Sequence, residues 1–479
     1  MIAALELARA HAPIVVLALL FTGAALAMLV SHGRASWALG VLAALAACTV
    51  AGEFGWRFVG AGGISSASPL ISVDGVGAFA APLLAGLTAL TAIAEASWLR
   101  DKPGRARPYV IALHLAAGAS WIGALFARDL IGLVVCANAA WLAAAALTAL
   151  SPNRGALNGA LRMVMSGGVG AVLMLLGAGL ISGAFGAGAV SGAANAIPDS
   201  SATAILGFVL LLAPLLLMAG AAPFHAWTGP AYGRSDAGLA LILAASGALA
   251  IVARVAAVAA TSPAVAESVS AALVCAGVAS VLIGSLQAVG ASNVRRLIAY
   301  ASAAQVGCIL VAIALESPAG LAAALVQLVA LSAGAFALLG GVAASKDAAL
   351  WALDGLGRRA PLSGIAITAG ALSFMGAPLT LGFLGRWRLI EAGVGAGWWW
   401  ATGAAVITSL AAVFYGGRLI ERLYFRRATE ASAVDIDGWR LARAPVLVAA
   451  VVAIACGLAP GWLLNFAARA AALALGLGV

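Results

Sequence analysis

Few residues in this sequence can do chemistry, and most of them stand in or beside an apolar run. Arg254, Arg386 and Arg388 fall within or near hydrophobic spans, and His114, Glu95 and Glu391 do the same. An arginine at bilayer depth costs about 2.5–3.5 kcal/mol even on a lenient insertion scale, so it faces a partner or a water-filled cavity. Arg386 directly follows an interrupted span and is expected on an ion path. Arg388 and Glu391 are spaced to meet on one helix face, either as a snorkelling pair at the surface or as part of that path. Glu95, close to Arg100 and Lys102, reads either as an ordinary interfacial acid or as one of the groups a proton or sodium path could use. His114 is either a hydrogen-bonded core histidine or a relay. His225, in Pro-Phe-His, either caps a helix end or gates.

Two interrupted spans must position these groups. The first, LLLAPLLLMAGAAPFHAW from Leu210 to Trp227, carries Pro214 at its middle. A proline there removes a backbone hydrogen bond and crowds the preceding turn, so a break or bend is expected at Pro214. The second, SFMGAPLTLGFLGRWRLIEAG from Ser373 to Gly393, is interrupted by Gly376 and Pro378. Broken backbone at membrane depth persists only when buried in protein or lining a polar cavity. Two such spans at matching places point to a transport site.

The composition leaves one class of protein. Of 479 residues 64% are hydrophobic and 9% charged, with a mean hydropathy of +1.09. No soluble domain of this size carries that balance, so the chain is an all-α, polytopic membrane protein. The net charge of +9 reflects basic loops, not nucleic-acid binding. Cys48, Cys136, Cys275, Cys308 and Cys456 all lie in hydrophobic spans without metal-ligand spacing and read as small packing residues. Neither CxxC, a Walker lysine nor a GxGxxG after a strand is present, so no cofactor or metal is expected in this chain.

Hydropathy predicts about fourteen spans near the ~20 residues a bilayer needs: 12–31, 36–52, 76–98, 109–127, 129–150, 160–183, 203–222, 237–260, 268–290, 296–315, 319–344, 361–391, 397–424 and 444–466. The tail from Trp462 reads as interfacial. Loops after odd-numbered spans hold 19 of the 26 basic residues, including Arg105, Arg234 and Lys346, against four, Arg9 among them, on the other side. The positive-inside rule then predicts both termini outside. Trp398, Trp399 and Trp400 look like an interfacial aromatic belt.

Four stretches carry a resemblance: AAPFHAWTGPAYGRSDAG (221–238), SNVRRLIAYASAAQVG (292–307), LDGLGRRAPL (353–362) and GAPLTLGFLGRWRLI (376–390). In order and spacing they resemble the antiporter-like proton-conducting subunits shared by respiratory complex I, membrane-bound hydrogenases and Mrp-type cation/proton antiporters, and the second and fourth most resemble subunit N of bacterial complex I. The resemblance implies two inverted five-helix repeats, helices 4–8 and 9–13, with helices 7 and 12 broken. Residues 1–108 then form an N-terminal three-helix segment, 109–260 the first repeat, 261–424 the second, and 425–479 a C-terminal loop, helix 14 and tail.

The same resemblance implies a row of buried charges: a glutamate on helix 5, lysines on helices 7 and 8, and a lysine or glutamate on helix 12. Those positions fall here at Asn138, Met218, Ala245 and Arg386, and the only lysines, Lys102 and Lys346, lie in loops. Lysine suits a proton relay because burial shifts it readily, whereas arginine stays charged. The expectation is a membrane-arm subunit of a complex I-like or hydrogenase-like redox-driven proton or sodium translocase in a bacterial inner (plasma) membrane, with conduction of its own reduced or lost. Other hydrophobic membrane-arm subunits, redox subunits of a peripheral arm, and lipids are the expected partners. The alternatives are an Mrp-type antiporter subunit and the membrane subunit of an inorganic-carbon uptake system. Ion-path candidates are Arg386, His225, Arg254, Glu391 and His114.

Overall fold

A computed structural model describes residues 11–30, 33–63, 71–100, 102–104, 106–151, 153–185, 202–234, 237–345, 347–428 and 436–477. Arg9, Arg105 and Lys346, used in the loop-charge reading, lie outside the described residues, as does the side chain of Arg234. The described chain is helical throughout: α1 (Ala12–Leu29), α2 (Gly33–Gly60), α3 (Gly75–Leu99), α4 (Arg107–Phe126), α5 (Leu130–Ala149), α6 (Arg154–Phe185), α7a (Ala202–Ala219), α7b (Thr228–Arg234), α8 (Gly238–Ala259), α9 (Pro263–Gly290), α10 (Val294–Ile313), α11 (Pro318–Val342), α12a (Pro361–Met375), α12b (Leu381–Gly395), α13 (Ala401–Tyr424), α14 (Ile436–Leu458) and α15 (Gly461–Ala474). Among the described residues 13 helices are long and apolar enough to cross a membrane. The fourteenth expected crossing is α12, whose halves have 15 residues each.

Helices α8, α10 and α11 are buried on nearly all sides and form the centre of the molecule, while α2 and α6 turn most of their surface outward. Their seams follow from small residues. Between α9 and α10, a Cβ on Gly307 would lie 2.5 Å from the Gly277 carbonyl oxygen, so only glycine lets these backbones meet. Lipid offers no hydrophobic drive between helices, and such close approach supplies the packing instead.

Three expectations need correction. Helix α7a runs through Pro214 without interruption and ends five residues later, where Gly220 takes a φ of +78°. Other helices and local hydrogen bonds absorb the proline, and the left-handed glycine makes the break. The second span is 28 residues long, running from Gly33 to Gly60, and its extension past residue 52 carries a Glu53–Arg57 pair at 3.0 Å across one turn. The last span ends at Leu458, and the segment expected to lie along the interface is a separate helix, α15.

Candidate functional site

The break in α12 creates the polar site. Gly376 at φ +71° closes α12a, its N–H donating to the Ser373 carbonyl and that of Ala377 to the Leu372 carbonyl. This left-handed ending leaves nearby carbonyls without intrahelical partners. The Phe374 carbonyl is taken up by side chains: Arg386 Nη2 donates to it, and Gln305 Nε2 donates at 3.3 Å. On the far side of the break the Thr380 hydroxyl accepts from the Phe383 N–H and starts α12b, which carries Arg386 back toward the gap.

Arg386 is 3% exposed. Its Nη2 also donates to Gln305 Oε1 at 3.0 Å, Gln327 Nε2 donates to the same oxygen at 2.8 Å, and Arg386 Nη1 donates to Ser409 Oγ at 3.0 Å. Helices α10, α11, α12 and α13 thus converge on one guanidinium. No carboxylate pairs with it among the described residues, so the charge is held by amide, hydroxyl and carbonyl dipoles alone. Arg386 Nε, Gln327 Oε1 and the hydroxyl of neighbouring Tyr415 are buried and lack hydrogen-bond partners. A guanidinium keeps its proton, so Arg386 is a fixed charge and not a proton carrier.

The break in α7 uses the same backbone and different side chains. Gly220 N–H donates to the Leu217 carbonyl and Ala221 N–H to the Leu216 carbonyl. The Leu217 carbonyl also accepts from the Trp227 indole at 2.8 Å, and the Ala222 N–H donates to Ser280 Oγ at 2.8 Å. Met218 is fully buried. Ala245 lines a cavity of about 20 Å³ with Gly220, Thr228, Ser246 and Ser302, room for about one water molecule. Asn138 on α5 donates to the Val134 carbonyl at 2.9 Å and lies 3.6 Å from the Met174 sulfur.

One serine pair bridges the two halves between the breaks. Ser246 on α8 meets Ser332 on α11 at 2.8 Å, and Gln327 stands on the same helix α11, roughly 7.5 Å along its axis. The other candidates sit elsewhere. Arg254 donates to Asp74 Oδ2 at 2.8 Å and to the carbonyls of Ala124 and Ser72, and Asp74 also caps α3 through the Gly77 N–H. Its donors clamp α8 to the start of α3. His225 hydrogen-bonds Gln287 on α9 at 2.8 Å, with Tyr300 edge-on. Glu391 pairs with Arg388 at 2.7 Å in an exposed position, on a groove of about 560 Å³. His114 Nε2 donates to the Thr88 carbonyl, 3.1 Å away, and its Nδ1 lies 3.5 Å from Glu95. Glu95 is buried, one turn from the end of α3.

Sequence reasoning did not single out Gln305, Gln327 and Ser409, which hold the guanidinium. The signal was present: amide side chains inside the apolar spans of α10 and α11 must find partners.

A family model described as NADH:quinone oxidoreductase/Mrp antiporter, TM, matches residues 127–412, more than half of the sequence. The chain belongs to this antiporter family. The chain is 33% identical over 285 residues to NADH-quinone oxidoreductase subunit N of Mycobacterium tuberculosis, an alignment covering 57% of this chain and 53% of that protein. It thus spans about half the length of the curated relatives it matches. Among solved structures it is similar to a chain of respiratory complex I from Thermus thermophilus, with a TM-score of 0.79, 25% identity and coverage of 94% and 98%. The fold is also that of a chain in the Mrp complex from Dietzia sp. DQ12-45-1b, with a TM-score of 0.84, 20% identity and coverage of 98% and 97%. It is a multi-pass membrane protein of that fold.

Proposed function

We propose that this chain is an antiporter-like membrane-arm subunit, of the subunit N type, in a complex I-like or hydrogenase-like redox-driven proton or sodium translocase. The observation that carries the reading is the kinship to subunit N combined with a charged second break, where four helices hold Arg386 at membrane depth. Redox chemistry belongs to partner subunits of a peripheral arm, and other hydrophobic subunits and lipid flank the chain in a bacterial inner membrane with both termini outside. Helices α4–α8 and α9–α13 act as two inverted repeats. The first, with Asn138, Met218 and Ala245 in place of ionisable groups, has reduced or lost ion conduction. The second, with its fixed charge at Arg386, transmits electrostatic change to neighbouring subunits.

Purification from the native membrane in mild detergent, followed by identification of the accompanying subunits, tests this reading. Partners bearing iron–sulfur, flavin or nickel centres are expected. Exclusively hydrophobic partners would overturn it in favour of an Mrp-type antiporter, and a zinc-containing partner would favour an inorganic-carbon uptake system.

A further inference from the structure

One buried carboxylate takes no part in either break. Glu95 on α3 is 5% exposed, and both its oxygens lack a hydrogen-bond partner. One turn earlier on the same helix Thr91 Oγ1 is also buried and unpartnered. The nearest basic group is the imidazole of His114 on α4, fully buried, with Nδ1 3.5 Å from Glu95 Oε1 and likewise without a hydrogen-bond partner. An ionised carboxylate held without donors at this depth costs several kcal/mol, so the site calls for a proton or for solvent.

A cavity lies beside it. Glu95 and Thr91 line a cavity of about 80 Å³, large enough for several water molecules. Its walls are the C-terminal end of α3 at Trp98, the N-terminal end of α8 at Gly238, the C-terminal end of α11 at Ala343 and the start of α14 at Ala442. All these ends face the side where the basic loops gather. Arg295, at the start of α10, is the one cation among the cavity-lining residues, and Tyr232 beside α8 is the other ionisable group. Lys102 stands over the Trp98 ring at 4.9 Å. The lining residues from α8, α11 and α14 carry no charge.

We propose that Glu95 and His114 form a proton-binding pair loaded from water through this cavity, on the basic face of the protein and outside both broken helices. The pair with ionised Glu95 and neutral His114 takes up one proton from water. That proton resides on the carboxyl or on imidazole Nδ1, moving between them without net change of charge. The imidazole's other nitrogen is anchored at the Thr88 carbonyl, so the ring is held with Nδ1 toward the carboxylate. This gives the chain a buried titratable group that does not depend on the row in which Asn138, Met218 and Ala245 stand.

The test is infrared difference spectroscopy between about pH 5 and pH 9 on the chain purified with its accompanying subunits and placed in lipid nanodiscs. It needs no turnover, so its outcome is independent of which partners copurify. A protonated-carboxyl band is expected that titrates in this window, is absent from Glu95→Gln, and shifts on exchange into D2O. Replacing His114 with Asn is expected to move its midpoint by about one pH unit or more. Glu95→Asp, which keeps a carboxyl if Glu95→Gln does not fold, is expected to retain a titrating band. Ala94→Leu, placed to fill the cavity, is expected to slow D2O exchange at least about tenfold. Absence of a titrating Glu95 band would overturn the proposal. So would a midpoint indifferent to His114→Asn, exchange indifferent to Ala94→Leu, or a band displaced by sodium at constant ionic strength, which would make the site a cation site.

Discussion

The two broken helices share a backbone design and differ in what occupies it. At Gly220 and at Gly376 the chain turns left-handed, with φ of +78° and +71°. In both, the glycine N–H returns to the carbonyl three residues before it, and the next N–H to the carbonyl five residues before its own position. Around the first gap the freed groups are met by neutral partners, the Trp227 indole and the Ser280 hydroxyl. Around the second they are met by a guanidinium with two glutamines and a serine. A helix break therefore creates carbonyls and amides that must be satisfied, and does not by itself create a charged site. The charge is a separate decision of sequence, made in one half of this molecule and declined in the other.

The comparison is broken most forcefully by moving a charge into the first gap. Met218→Lys puts an ammonium at a fully buried position, and should cost about 2.5–3.5 kcal/mol. Loss of assembled protein and a lower unfolding temperature in detergent would register it; an unchanged unfolding temperature would mean the first break is wetter than described. Alanine at the two glycines sharpens the contrast. Gly220→Ala should cost about 1–2 kcal/mol for its left-handed φ, with its Cβ 3.0 Å from Thr228 and 3.8 Å from Trp227. Gly376→Ala should cost more, because its Cβ would clash with Arg386 Nη1 and displace the charge. Trp227→Phe removes one hydrogen bond from the first gap and should lower stability by about 1 kcal/mol without altering ion movement. Arg388→Ala, which breaks only an exposed pair, should cost less than about 1 kcal/mol.

Much of the fold was legible because lipid imposes a simple rule: about 20 apolar residues per crossing, with basic residues gathered in alternate loops. The α12 break was legible at Gly376 and Pro378, since a glycine two residues before a proline has few other uses inside an apolar span. The α7 break was misplaced for a physical reason. Pro214 removes one hydrogen bond that a packed helix can lose, whereas Gly220 supplies a backbone angle that a helix cannot contain. Arg386 stood out by type. The glutamines that hold it, and the meeting of Glu95 with His114, depend on which faces of neighbouring helices are turned together. Hydropathy carries no record of that: apolar residues surround these helices on every side, so no amphipathic stripe marks the inner face.

The central claim is that the ion-linked charge of this chain lies at the second break. Its most direct test is redox-driven ion uptake into sealed vesicles containing the assembled complex, compared for Arg386→Ala, Arg388→Ala and the native protein. The account predicts a loss of roughly tenfold or more for Arg386→Ala and near-native uptake for Arg388→Ala. Equal and negligible effects of the two substitutions, in complexes shown to be fully assembled, would contradict it.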